Sequence, residues 1–351
     1  MSHEPDISSR KVDHIELCAR QEVESRARTT LLEEVELLHD ALPEVDFEEV
    51  DLSLSVFDRV LQAPLLITGM TGGASQAHQI NTNLARVAQR FGLAFGVGSQ
   101  RAILRDRALA KTYQVRDVAP DVLLLGNIGG VQAAQMSSAE AQDLVDIIGA
   151  DALCVHLNPG QELIQPEGDR DFRGIVNALA RLTEELQVPV IAKETGCGLS
   201  PRALHRLRQA NVRWVDTSGS GGTTWIGVET LRTPPEKRTV GEMFWDWGIP
   251  TAPSIIWARE LGFNVIGSGG VRNGLDCARV VALGAKLAGM ALPWLRAAHD
   301  EGEAGAAEFA QATLQALKTT CVLTGSRNIE ELQTAPRIFG PNLERWARIK
   351  A

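Results

Sequence analysis

Eight short apolar runs, each closing on small or polar residues, constrain this 351-residue chain more than any other feature. They are PLLITGM (64–70), LAFGVGS (93–99), DVLLLGNI (121–128), ALCVHL (152–157), VPVIAK (188–193), RWVD (213–216), NVIGSGG (264–270) and KLAGMAL (286–292). Between them lie stretches such as AHQINTNLARVAQRFG and SPRALHRLRQAN, whose apolar residues recur at threes and fours. Strand-length runs alternating with helical spacing predict parallel strands joined by helices. Eight such units predict an α/β (β/α)8 TIM barrel. A doubly wound sheet is the runner-up, but the GxGxxG that would open its first turn is not evident.

Around that rhythm the chain divides into an N-terminal extension (1–60), the barrel (61–335) and a C-terminal tail (336–351). Within the extension, TTLLEEVELLHDALPEV carries some helical spacing, and DLSLSVFDRVLQAP reads as short strands leading into the first core strand. The interval 217–263, after the sixth strand, is unusually long and holds Trp225, Trp245 and Trp247; it reads as an irregular lid, binding loop or interface. Residues 296–335 read as C-terminal helix closing the barrel.

A net charge of −9 argues against general nucleic-acid binding, though a local basic pocket remains compatible with it. The five cysteines are dispersed with no CxxC, as expected in a reducing compartment without a disulfide frame or zinc site. The polar N-terminus lacks a signal-peptide core, and no run of about 18 apolar residues predicts a membrane span. A cytoplasmic location is the expectation.

Barrels of this kind place their active sites at the C-terminal ends of the strands. Those ends read GMTGG (69–73), GSQR (98–101), NIGG (127–130), HLNPGQE (156–162), KETGCG (193–198), DTSGSGGTT (216–224), SGGVRNG (268–274) and GMAL (289–292). Glycines admit close backbone approach and offer bare N–H groups to anions, so their clustering predicts a phosphate-bearing ligand. Lys193 would point into the barrel mouth, toward an anionic or electron-rich edge. Asn127 and Gln161 offer amides for a heterocycle edge or substrate oxygens. Glu162 fits a hard-cation ligand such as Mg2+ or a helix N-terminal acid. His156 fits a diphosphate donor, an acid/base or a core histidine. Arg10, Lys11 and Arg101 could meet a second anion.

Taken in order, RKVDHIE, MTGG, GSQR, HLNPGQE, KETGCG, DTSGSGGTTW, SGGVRNG and LTGSRNIEEL resemble the type 2 isopentenyl-diphosphate isomerases over residues 8 to 335. The HxNxxQE string and RKxxH opening are fairly specific to them; other FMN barrels share the glycine loops. The resemblance implies an FMN-binding barrel interconverting isopentenyl and dimethylallyl diphosphate, with NADPH as reductant and Mg2+, and a homotetramer or larger assembly. It implies flavin contacts at Gly69, Met70, Thr71, Ser99, Asn127 and Lys193, and contacts to the flavin's ribityl phosphate end at Ser218, Thr223, Gly269, Gly270, Ala291 and Leu292. It implies substrate contacts at Arg10, Lys11, Ser99, Gln100, Arg101, Asn158 and Gln161. His156, Gln161 and Lys193 would be the catalytic set, and Glu162 the Mg2+ ligand. Three features depart from it: Gly160 stands where leucine is common, Thr195 where valine is common, and TWIGVETLR where a serine- and arginine-bearing version is usual. On the same barrel, an FMN-dependent 2-hydroxy-acid oxidoreductase is the alternative. It would want a histidine base and arginines after strands seven and eight; the seventh loop has Arg272 but no histidine. A non-catalytic flavin- or phosphate-binding barrel is the remaining reading.

Overall fold

A computed structural model describes residues 7–350. Eight parallel strands close into a barrel: β1 (Leu65–Ile67), β2 (Ala94–Gly96), β3 (Leu123–Gly129), β4 (Ala152–Leu157), β5 (Val190–Glu194), β6 (Trp214–Asp216), β7 (Asn264–Ser268) and β8 (Leu287–Met290). Each coincides with one of the eight apolar runs, β3 and β5 extending one residue past the end of theirs. Strand β8 pairs with β1 to close the ring. Helices form where the spacing predicts them, as at Ser75–Phe91 and Pro201–Gln209. The latter starts with Pro201, preset for the first helical position, while the Ser200 hydroxyl accepts from the Ala203 N–H.

Strand side chains alternate between two environments. Leu66, Ala94, Leu123, Leu125, Ala152, Cys154, Ile191, Ile266 and Leu287 form one buried cluster. Val56 and Leu61, from a hairpin pairing Leu54–Val56 with Arg59–Leu61, belong to the same cluster. Leu65, Ile67, Leu124, Leu153 and Val265 belong instead to a larger cluster shared with the helices. The first set fills the barrel interior. Two residues further along the same strands stand Thr68, Asn127, His156, Lys193, Asp216 and Ser268. The period of two thus brings polar groups to the mouth from the strands whose earlier residues make the apolar floor.

Three regions differ from the sequence reading. TTLLEEVELLH is not helical: Leu31 takes a left-handed φ of 57°, a short 3-10 turn follows, and Val35–Leu37 pairs antiparallel with Arg337–Phe339. Tertiary pairing overrides a weak local preference there. The long interval after β6 is not irregular; it carries helices at Trp225–Arg232, Thr239–Met243 and Thr251–Glu260. The closing helix begins at Leu292, earlier than read, and runs to Leu323 with a break at Gly302, whose φ is 63°. The extension also supplies an unforeseen helix, Ile7–Arg20. Among the described residues, no helix is long and apolar enough to cross a membrane.

Candidate active site

The polar groups at the strand ends pair with their neighbours around the mouth. Lys193 and Asp216 are register partners on β5 and β6, and the Lys193 ammonium donates to Asp216 Oδ2 at 2.7 Å. Ser268 on β7 donates to the other Asp216 oxygen. On the neighbouring strand β4, where His156 is the register partner of Lys193, His156 Nδ1 lies 2.9 Å from Asn127 Oδ1. The Asn127 amide nitrogen donates to Val97 O, so its oxygen is the acceptor and His156 Nδ1 carries the proton. Burial, chiefly, with the nearby Lys193, Lys11 and Arg101 charges, pushes His156 down to about 3, so the ring is neutral and its Nε2 is an acceptor.

The N-terminal helix covers this mouth. Arg10, Lys11, His14, Ile15 and Cys18 recur at three- and four-residue spacing and line the cavity together. The Lys11 ammonium donates to Ser99 O at 3.2 Å. Burial first, and neighbouring Arg10 second, push it down to about 7. Arg101 approaches Asp169 at 3.4 Å, and Arg10 lies 3.8 Å from Glu167. With its amide turned to satisfy both neighbours, Gln165 accepts from Arg10 at 2.9 Å and donates to Glu229 at 3.1 Å. Three cations therefore converge on one rim, each with a partner a competing anion could replace.

Local geometry explains why HLNPGQE is so polar. Pro159 opens a single-turn helix, Pro159–Ile164, directly after β4. Asn158 Nδ2 donates to Glu162 Oε1 at 3.0 Å and to Gln161 Oε1 at 3.1 Å. The Asp169 N–H donates to Glu162 Oε2 at 2.8 Å. Gln161 then donates to Glu229, a fully buried carboxylate on helix Trp225–Arg232. Glu229 also meets His14 at 2.8 Å and Arg232 at 2.5 Å. Burial works against its ionisation, but His14, Arg232 and Gln161 outweigh burial and hold the carboxyl below its usual range. Gly160 gives the two helices room: a Cβ there would lie 3.0 Å from Ile226 Cδ1 and 3.3 Å from Cys197 Sγ.

The other rim is backbone. Gly269 and Gly270 adopt φ of 99° and 68°, and a Cβ on Gly269 would lie 2.1 Å from Gly219 O. Gly69, Met70, Thr71, Ser218, Thr223, Ala291 and Leu292 complete this wall. The Thr71 hydroxyl is buried with no hydrogen-bond partner among the described residues, which leaves a donor for a ligand. Glycine-lined backbone, an orphaned hydroxyl, an ammonium and the start of a helix fit a phosphate-bearing heterocycle such as FMN. For a divalent cation, no three His, Cys, Asp or Glu side chains converge among the described residues. Glu162 alone offers a cavity-lining carboxylate, which fits Mg2+ only if substrate phosphates supply further ligands.

Every expected site residue lines this one cavity except Gln100. Gln100 has no exposed surface; its amide donates to Leu144 O at 2.7 Å and accepts from the Asn127 N–H at 2.9 Å. It steadies Asn127 from behind. Sequence reading gave no site role to His14, Gln165, Asp216 or Glu229, and placed Trp225 only in a lid, binding loop or interface. The spacing of Arg10, His14 and Cys18 could have signalled a helix face; nothing local distinguishes Glu229 from a surface acid.

A family model described as FMN-dependent dehydrogenase matches residues 174–337. Mandelate oxidase, in a variant solved with benzaldehyde, superposes with a TM-score of 0.65 at 15% identity, covering 94% of this chain and 95% of that one, a likeness of fold. An isopentenyl-diphosphate delta-isomerase of Synechococcus sp. is 48% identical over 304 residues, 86% of this chain and 87% of that protein. One from Thermococcus onnurineus is 41% identical over 349 residues, 96% of this chain and 92% of that protein. A barrel with these strand-end groups, related at this level along nearly its whole length, belongs to the isopentenyl-diphosphate delta-isomerase family.

Proposed function

We propose that this protein interconverts isopentenyl diphosphate and dimethylallyl diphosphate on reduced FMN, with Mg2+ between Glu162 and the diphosphate. The carrying observation is a single cavity with two unlike rims. One gathers Arg10, Lys11 and Arg101 beside Glu162; the other is glycine backbone ending at Lys193 and a helix start.

Moving the double bond requires one proton added to the terminal alkene carbon and one removed from the allylic carbon. Ordinary side chains protonate an unactivated alkene poorly; reduced FMN, when bound, supplies proton exchange and an electron-rich face beside the developing cation. Gly69, Met70, Thr71 and Asn127 would line one part of its site, and Lys193 would meet its polar edge. Ser218, Thr223, Gly269, Gly270, Ala291 and Leu292 would hold its phosphate.

Arg10, Lys11 and Arg101 bind the diphosphate, with Ser99, His156 and Asn158 in the same pocket. Binding remote from the reacting carbons fixes the alkene without spending side chains on it. Gln161 presents its amide to the substrate because Asn158 and Glu229 hold it from two sides. NADPH is the proposed reductant, the assembly a homotetramer or larger, and the compartment the cytoplasm.

The test is anaerobic incubation of the protein with FMN, NADPH, Mg2+ and isopentenyl diphosphate, reading dimethylallyl diphosphate. Product that disappears when FMN or reductant is withheld supports the reading. A reducible yellow protein without product would refute it and turn attention to 2-hydroxy acids.

A further inference from the structure

Asp216 is the one strand-end group in the mouth's polar ring that does not reach the cavity. It is 1% exposed, whereas its partners Lys193 and Ser268 both line the wall. It sits immediately behind them, one carboxylate oxygen taken by the Lys193 ammonium and the other by the Ser268 hydroxyl. Among the described residues, Asp216 is the only carboxylate within ion-pair distance of Lys193. We propose that Asp216 is a positioning residue: it clamps Lys193 and sets how much positive charge a bound flavin meets.

This inference rests on the FMN reading. A buried ammonium is expensive unless paired, so the carboxylate offsets that cost and fixes where the Lys193 Nζ stands. The same carboxylate opposes the ammonium's field. Reduction adds negative charge to the flavin; a bare cation at its edge would favour the reduced form strongly, and a cation backed by an anion favours it less. In a buried site neither charge is screened by salt. The pair therefore acts as an oriented dipole, and its strength is a property of Asp216 as much as of Lys193.

The test measures FMN affinity, then the flavin midpoint potential against a reference dye, on the full chain. Asp216→Asn should raise the reduced-to-oxidised ratio at fixed potential at least tenfold, about 30 mV for a two-electron couple. In a Lys193→Gln background no ammonium is left for the carboxylate to clamp, so the same substitution should shift the ratio less than threefold. If Asp216→Asn does not fold, Ser268→Ala provides the opposite sign: stripping a donor from Asp216 leaves its charge less compensated and lowers the ratio. Wild-type protein that binds FMN, paired with variants whose potential is unmoved, would overturn the role of Asp216 alone. So would equal shifts with and without Lys193. Wild-type protein that binds no FMN would overturn this inference and the flavin reading together.

Discussion

Leucine at position 160 should harm this protein, although leucine is common at that place in the sequences it resembles. A Cβ on Gly160 would already lie 3.0 and 3.2 Å from two carbons of Ile226 and 3.3 Å from Cys197 Sγ. Those are tight contacts that a flexible isoleucine can relieve by a few tenths of an ångström, so Gly160→Ala should be nearly neutral. Leucine adds three more carbons against Ile226, which is 2% exposed and has little room to retreat. Overpacking of this kind costs about 1–3 kcal/mol. At roughly 2–4 °C per kcal/mol, the melting temperature should fall by about 2–12 °C. The displaced helix carries Gln161 and Glu162, and an ångström of misplacement can cost about a hundredfold in rate. Scanning calorimetry and kcat under anaerobic assay measure both effects. Ile226→Ala should be destabilising alone but should recover part of the loss in the double variant, with a coupling of about 1 kcal/mol or more. A Gly160→Leu protein as stable and active as wild type, or strict additivity in the cycle, would refute the reasoning.

Other consequences are equally direct. Lys11 must be charged to hold a diphosphate, and in the free site burial, first, and neighbouring Arg10, second, bring it to about 7. KM for isopentenyl diphosphate should therefore rise with pH above about 7, by at most about tenfold per unit, and Lys11→Arg should flatten that rise. Glu162→Gln should raise the Mg2+ concentration needed for half-maximal activity at least about tenfold; an unchanged Mg2+ requirement would exclude Glu162 as ligand. Glu229→Gln strips charge from a fully buried carboxylate that meets His14, Gln161 and Arg232, so it should cost about 3–5 kcal/mol of stability and raise KM, read by calorimetry and initial rates.

Much of this was legible before any coordinates. Strand-length runs at regular intervals imply a parallel sheet, because each must bury both faces and each needs a helix to return, and the count of eight favours a barrel over the doubly wound alternative. Once the barrel is fixed, the strand ends become the site, and the residues singled out there, Gln100 excepted, line one cavity. What escaped the sequence is of two kinds. The helix Ile7–Arg20 is amphipathic only toward a polar mouth, so its face of Arg10, Lys11, His14 and Cys18 gives no ordinary apolar stripe. Glu229 and Asp216 gain their meaning from partners 215 and 23 residues away, respectively, and no local pattern carries such pairings. Gln100 was read as a substrate contact from its place in GSQR, but a one-residue step along the turn sends its side chain behind Asn127 instead.

The central claim is proton addition and removal beside a flavin that ends each turnover in the redox state in which it began. The decisive measurement is NMR of isopentenyl diphosphate turned over in D2O by FMN-loaded, anaerobically reduced protein, with the flavin spectrum followed in the same sample. The account predicts dimethylallyl diphosphate bearing deuterium in a methyl group, many turnovers per flavin, and a flavin that stays reduced. Product without solvent deuterium, or one flavin oxidised for each molecule converted, would contradict it.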